Sequence, residues 1–563
     1  MFLKKWNLLV VFLLAILLMQ CTGDSKQMEK KLTKFIEQHV EKVKPLSRKA
    51  NLAYFEATTS GKEDLYKQYE ELQLELSKIY ANKDDFEFLK KVKESGKITD
   101  PLLKRQLLVL YNEYLARQID ESQLKELIRR ETELEKKYST FRAKIDGKYY
   151  TDNQIEEILQ TSRDNKMLEK AWKASKQIGV AVAEDVLKLV KIRNEIARKL
   201  GFQNYHQMKL ALSEQDPQEI EKLFDELDEL TRKTFFELKQ DIDKFLAKRY
   251  GLKPEQLQPW HYQNRFFQEA PKIYPVDLDQ FYKDKDVVKL TAEYFASIGL
   301  PIDDLIEKSD LFEREGKYQH AYCTDIDREG DVRVVCNVKP NYNWMNTMLH
   351  EYGHAVYDKF NNRNLPWLLR EPAHTFTTEA IAMMFGRMAG NPAWIKDLAK
   401  VPAAKVDKVA DACRKSQRLE QLTFSRWAQV MYRFEKAMYE NPDQDLNALW
   451  WKLVEKYQGL KKPTNHNGQD WASKIHVALY PAYYHNYLMG ELLASQLYFA
   501  IAKEVYNNPN PGFLSFYGNP EVGKFLREKV FKPGKQYHWN EMIRLATGEP
   551  LTARYYAKQF VGQ

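Results

Sequence analysis

His350-Glu351-Tyr352-Gly353-His354, preceded by Asn343-Trp344-Met345-Asn346-Thr347-Met348-Leu349, decides how the 563-residue chain is read. The flanking pattern is helical on both sides. On a helix, positions i and i+4 share a face, with Cβ atoms about 5–6 Å apart. Two imidazoles so placed can bind one zinc ion at about 2.0–2.1 Å each. Glu351 stands one residue along, where it reaches a metal-bound water rather than the metal. Zinc lowers the pKa of such a water to about 7, and a neighbouring carboxylate can then take its proton. A third ligand is needed, with the fourth position left open. Glu379 lies 25 residues after His354, within Thr377-Thr378-Glu379-Ala380-Ile381-Ala382-Met383-Met384-Phe385. That segment has the pattern of a second helix, ended by Gly390 and Pro392. A glutamate in so apolar a stretch is costly to bury unless it is paired or bound to a metal. The expected centre is therefore Zn2+ held by His350, His354 and Glu379, with Glu351 as its base.

Working outward, most of the chain carries helical periodicity. Met28, Leu32, Phe35, Ile36, Val40 and Val43 form one apolar stripe, and similar stripes cross 62–81, 118–140, 181–200 and 218–249. Pro254, Pro259, Pro271 and Pro275 mark an irregular stretch between helices. The one strand-like region is 319–324 and 331–338, joined by Asp327-Arg328-Glu329-Gly330-Asp331. With 44% hydrophobic and 29% charged residues, the body is globular and soluble rather than disordered. Aromatic residues, at 13%, suit a packed interior or a peptide-binding channel equally. The 87 basic and 79 acidic residues leave a net charge of +8. They are interleaved, as in Glu63, Lys67 and Glu70, which describes solvated helix faces and not a nucleic-acid footprint. No repeat or composition break divides the body. The expected fold is mainly α, a single large domain over 21–563 with two lobes, a deep central cleft and a small β-hairpin at the site.

The first twenty residues differ. Lys4 and Lys5 precede an apolar run from Leu8 to Leu18, too short for an ordinary membrane span but laid out as a signal peptide over 1–20. Cys21 and the polar Thr22-Gly23-Asp24-Ser25-Lys26 follow, which resembles a bacterial lipoprotein processing site. Met19 and Gln20 depart from the small residues usual there. Export is expected, to the periplasm or as an outer-membrane lipoprotein tethered through a lipidated Cys21. Export also makes a disulfide possible. Cys323 and Cys336 flank the hairpin turn at similar distances, so a bonded pair and two free buried thiols both remain open.

Beyond the metal motif, the chain resembles the angiotensin-converting-enzyme family of zinc peptidyl-dipeptidases. Leu365-Pro366-Trp367-Leu368-Leu369-Arg370-Glu371, Leu52-Ala53-Tyr54 with Thr58-Thr59, Arg193-Asn194-Glu195-Ile196-Ala197-Arg198, and Ala292-Glu293-Tyr294-Phe295-Ala296-Ser297-Ile298-Gly299-Leu300 all resemble family blocks. The similarity runs from about residue 50 to 490. It implies that the protein cuts dipeptides from the C-termini of short peptides, by attack of zinc-bound water. His320-Ala321 matches a family pair on a substrate-pairing strand. Lys474-Ile475-His476 resembles the family's Lys-Phe-His, in which the lysine grips the substrate carboxylate and the histidine contacts a substrate carbonyl. Gln258 matches a glutamine of the same clamp. With one residue inserted after His476, the resemblance puts the carboxylate tyrosine at Tyr484 and the oxyanion tyrosine at Tyr487, which is preferred; without it they fall at Tyr483 and Asn486. Two departures stand out. The family's chloride-binding arginine falls near His485 or Asn486, and an aspartate four residues after the glutamate ligand is replaced by Met383. A thimet-oligopeptidase-like enzyme cutting short peptides internally is the alternative. A non-catalytic, peptide-binding surface lipoprotein is a third reading, opposed by the intact base and three ligands.

Overall fold

Asp216 accepts hydrogen bonds from the backbone N–H groups of Gln218 and Glu219, Pro217 fills the first helical position, and Gly251 at φ 68° ends the turn. Between these signals runs a 34-residue helix, Pro217–Tyr250, which buries Ile220, Phe224, Leu227, Thr231, Phe235, Ile242 and Leu246 at the expected spacing. The same local chemistry repeats through the computed structural model, which describes residues 2–274 and 276–562, with side chains from Asp24 onward. It is 69% helical, as the periodicity predicts.

The apolar stripes lead to two main clusters. The larger gathers the helices of the centre and C-terminal half. The smaller joins Leu32, Ile36 and Val43 of the first helix (Phe2–Ser60) to Leu89, Val92, Leu103, Leu107 and Leu110. The irregular stretch after Gly251 holds only short 3-10 turns, among them Pro254–Gln256 and Pro259–Tyr262. Among the described residues no helix is long and apolar enough to cross a membrane. The export segment 1–20 and Cys21 lie outside the residues whose side chains are described.

The expected hairpin forms from antiparallel strands Tyr322–Asp325 and Val332–Val335, with Tyr322 opposite Val335 and Asp325 opposite Val332. Its register places Val334, not Cys336, across from Cys323. Cys323 and Cys336 are both free, and burial pushes both thiols up. A second hairpin, Ala143–Ile145 with Lys148–Tyr150, turns at Asp146-Gly147, where φ is 49° and 87°. Its three-residue strands are too short to leave a period-2 pattern in the sequence.

Three helices meet at the centre: Tyr342–Lys359, Thr375–Gly386 and His485–Tyr506. Two glycines allow them to. A Cβ on Gly353 would fall 2.7 Å from the Cα of Ala382, and one on Gly490 would fall 3.3 Å from the Cβ of Glu379. Gly353→Ala is expected to force the first two helices apart. Overpacking of this kind costs about 1–3 kcal/mol. Urea denaturation should show that loss, and metal analysis a parallel fall in bound zinc; an unchanged midpoint and zinc content would mean that the contact is not needed.

Candidate metal centre

Asn341 begins the 342–359 helix by accepting the backbone N–H of Trp344 at 2.9 Å. Met345, Met348, Leu349, Tyr352 and Val356 then point into the core. That leaves His350 and His354 on the opposite face, one turn apart, with ring centroids 5.0 Å apart. The 375–386 helix starts at His374, whose Nδ1 accepts from the N–H of Phe376. It carries Glu379 to both histidines: Glu379 Oε2 lies 3.7 Å from His350 Nε2 and 3.9 Å from His354 Nε2. All three donor atoms fall within 4.8 Å of one another. Bonds of about 2.0–2.2 Å in a tetrahedron separate ligand atoms by about 3.4 Å, so this donor set fits a zinc ion with slight closure.

Burial shapes the charge of every group here. It pulls His350 down to about 4. It pulls His354 well below its usual range, aided by His350. Both imidazoles are thus neutral, the state in which they bind metal. Burial raises Glu379 to about 7. Burial and the Glu379 charge together raise Glu351 to about 8. Two neutral imidazoles and a buried carboxylate, with a second carboxylate beside them, form a donor set suited to a divalent cation. His354 Nδ1 sits 2.8 Å from Thr378 Oγ1, which fixes the ring with Nε2 toward the site. Thr378 carries no motif of its own; only its place beside Glu379 marks it. Met383, one turn beyond Glu379, lays its sulfur against Gly490, so no carboxylate supports the ligands from that position.

A second cluster surrounds Lys474. Its ammonium donates to Gln268 Oε1 at 2.6 Å. It lies 5.5–5.7 Å from the ring centroids of Phe266, Trp427 and Tyr484. Burial, then the charge of Arg265, lowers Lys474 to about 8. Gln258 is not the glutamine that meets it. The backbone N–H of Gln258 goes to His261 Nδ1 at 2.8 Å, opening a 3-10 turn. The chain then reverses through Gln263 and Phe267, at φ 61° and 51°, and brings Gln268 to the lysine instead.

The tyrosines divide. Tyr484 Oη accepts from Trp427 Nε1 at 2.7 Å, and its ring stands beside Lys474 and edge-on to His476. Tyr483 and Tyr487 pack edge-on to each other at 5.3 Å. Burial raises both, and the Glu379 charge adds to it. Of the two candidates, Tyr484 is the one whose ring stands beside Lys474. His476, lowered to about 4 by burial, keeps a buried Nδ1 without a protein partner. His320 is exposed beside Tyr318, and Ala321 is half-buried; both immediately precede the strand at Tyr322, which packs on the 342–359 helix.

Removing Glu379 should remove the metal. Glu379→Ala is expected to be purified with little zinc, whereas Thr378→Val should bind it about 10–100-fold more weakly, as typical for the loss of a ligand-orienting partner. Metal analysis and chelator competition check both; full zinc in Glu379→Ala would place the third ligand elsewhere.

The family description of angiotensin-converting enzyme matches residues 26–554. The mouse angiotensin-converting enzyme is 23% identical over 423 residues, covering 70% of this chain and 32% of the mouse protein. The chain thus spans about a third of the mammalian relatives it matches. The enzyme of the fly Haematobia irritans exigua is 24% identical over 449 residues, 73% of this chain and 72% of the fly protein. Carboxypeptidase 1 of Bacillus subtilis is 26% identical over 264 residues, 42% of this chain and 50% of its own. A match that runs through nearly every helix, and not the metal motif alone, makes the chain a member of the angiotensin-converting enzyme family of metallopeptidases.

Proposed function

We propose that the protein is a zinc-dependent peptidyl-dipeptidase that releases dipeptides from the C-termini of short peptides. One observation carries this reading: Lys474, Gln268 and Tyr484 gather a cation, an amide and a phenol in one nest, and Lys474 and Tyr484 lie on the same short segment as Tyr487, on which the Glu379 charge acts. A nest of that chemistry suits a free carboxylate. Set at a fixed distance from the site of cleavage, it counts residues from the end of the peptide.

A zinc ion bound by His350, His354 and Glu379 would supply Lewis acidity to a water and to the scissile carbonyl. The chain's own residues do the rest. A carboxylate oxygen of Glu351 accepts the water's proton and passes it to the leaving amine nitrogen. Tyr487 Oη and His476 Nε2 donate hydrogen bonds to the oxygen that becomes negative as the carbonyl carbon turns tetrahedral. Neutral His476 can serve as that donor with its proton on Nε2. The backbone of His320 and Ala321 pairs with the peptide as an added strand. Lys474, Gln268 and Tyr484 hold the terminal carboxylate. We further propose that the protein is exported and tethered to the membrane through Cys21.

Glu351→Gln is expected to keep zinc and lose about 10²–10⁴-fold or more in turnover, because an amide accepts no proton. Substantial activity with zinc bound would remove Glu351 from the reaction. Amidating a substrate's C-terminus should cost the native enzyme roughly 10–150-fold in kcat/KM, the worth of a charge-assisted hydrogen bond of about 1.5–3 kcal/mol. The same amidation should cost Lys474→Ala far less. Equal cleavage of free and amidated peptides at internal bonds would replace this reading with an oligoendopeptidase.

A further inference from the structure

The run from Lys474 to Tyr487 carries two residues of the clamp and the proposed oxyanion donor, yet it is not one regular element. A short helix, Ile475–Leu479, ends before Tyr480, and the long helix begins only at His485. Between them the chain turns at Ala482, whose φ is 55°. Alanine rarely takes that left-handed conformation, because its Cβ crowds the backbone carbonyl there. The turn therefore needs a hold from outside.

Glu435 supplies it. Its Oε1 accepts the N–H of Ala482 at 2.7 Å. Both residues are buried, Glu435 at 2% exposure and Ala482 at 7%. The carboxyl is not there to balance a charge. Arg193, the cation whose field it feels, is already paired with Glu131 at 2.7 Å. Burial raises Glu435 to about 8. A buried carboxyl whose hydrogen bond goes to one peptide unit in a disfavoured conformation is costly for the fold alone.

The helix that carries Glu435, Ala403–Glu440, also carries Trp427, whose indole N–H donates to Tyr484 Oη at 2.7 Å. About 12 Å of helix, at 1.5 Å per residue, separates the two holds. One rigid element thus fixes both the bend at Ala482 and the tyrosine just beyond it. Register matters here, because Tyr483 and Tyr484 are neighbours. It is Tyr484 whose ring centroid lies 5.7 Å from the Lys474 ammonium. A turn that relaxed at Ala482 would rotate both side chains about the chain and carry Tyr484 away from the lysine.

We infer that Glu435 is a positioning residue for substrate binding: by holding the N–H of Ala482 it keeps the left-handed turn that sets Tyr484 beside Lys474. The inference rests on the peptidyl-dipeptidase reading, in which that pair holds the peptide's terminal carboxylate. Glu435 acts through the turn alone.

The test uses the zinc-loaded full chain and two peptides that differ only in a free or an amidated C-terminus. The readout is the ratio of their kcat/KM values, with zinc content and the urea midpoint measured alongside. The native ratio is expected at roughly 10–150. Glu435→Gln keeps an acceptor of the same reach and should keep that ratio. Glu435→Ala removes the acceptor and should bring the ratio close to one, with KM for the free peptide raised more than kcat is lowered. Glu435→Asp only draws the acceptor back by a methylene group. It disturbs the packing less and should lower the ratio severalfold, so the question is answered even if the alanine variant does not fold. A folded, zinc-loaded Glu435→Ala or Glu435→Asp with the native ratio would overturn the inference and leave the peptidyl-dipeptidase reading standing. So would a ratio lost in Glu435→Gln. Equal cleavage of both peptides at internal bonds by the native enzyme would overturn that reading as well.

Discussion

Two backbones come close enough at Gly353 and Ala382 that the intervening position admits no side chain, and the candidate metal centre depends on it. A side chain at Gly353 would put its Cβ 2.7 Å from the Cα of Ala382, well under van der Waals contact. Without one, the 342–359 and 375–386 helices come close enough for Glu379 to span both histidines at 3.7 and 3.9 Å. Gly490 does the same for the third helix, which carries Tyr487 and comes within 3.3 Å of the Glu379 Cβ at that position. The glycine inside the His-Glu-Tyr-Gly-His run is thus a packing residue as much as part of a motif. It converts a local repeat on one helix into a three-dimensional site shared by three.

This explains which parts of the site were legible in the sequence. His350, His354 and Glu351 are fixed by the turn of a single helix, which spacing alone reveals. Glu379 was found because a carboxylate in an apolar helix demands a reason. The clamp obeyed no such period. Gln268 reaches Lys474 through a loop with two residues at positive φ, so Gln258, equally plausible as a letter ten residues earlier, ends up capping a turn of its own. The tyrosines show the middle case. Counting gave Tyr483 or Tyr484, and only the Trp427 hydrogen bond and the Lys474 contact separate them. Thr378 had no signal beyond adjacency. The Cys323–Cys336 question turned on strand register, which a turn of uncertain length leaves free until the pairing is seen.

Burial gives the cleft its electrostatic character. His350, His354 and His476 are driven neutral, Glu351 and Glu379 are driven upward, and Lys474 downward, each with burial as the leading cause. Other buried charges are paired, as in Arg426 with Asp228 or Arg387 with Glu491. The contrast is informative because a buried charge without a protein partner is costly and persists where a ligand supplies the missing half.

What joins the metal centre to the clamp is a single run from Lys474 to Tyr487. The protein holds this run at its bends rather than by regular structure alone. Arg193, wholly buried, donates to the carbonyl of Ala478 at 2.8 Å, and Glu435 accepts the N–H of Ala482 at 2.7 Å, where φ is 55°. Tyr138 fastens the preceding carbonyl of Ala472 at 2.6 Å. Each anchor comes from a different helix, so the spacing from Lys474 to Tyr487 belongs to the whole core and not to the run itself. In a peptidase that measures from the carboxylate end, that spacing sets the length of the released piece. An anchor such as Arg193 thus reaches the separation of Lys474 from Tyr487 through the backbone it holds at Ala478.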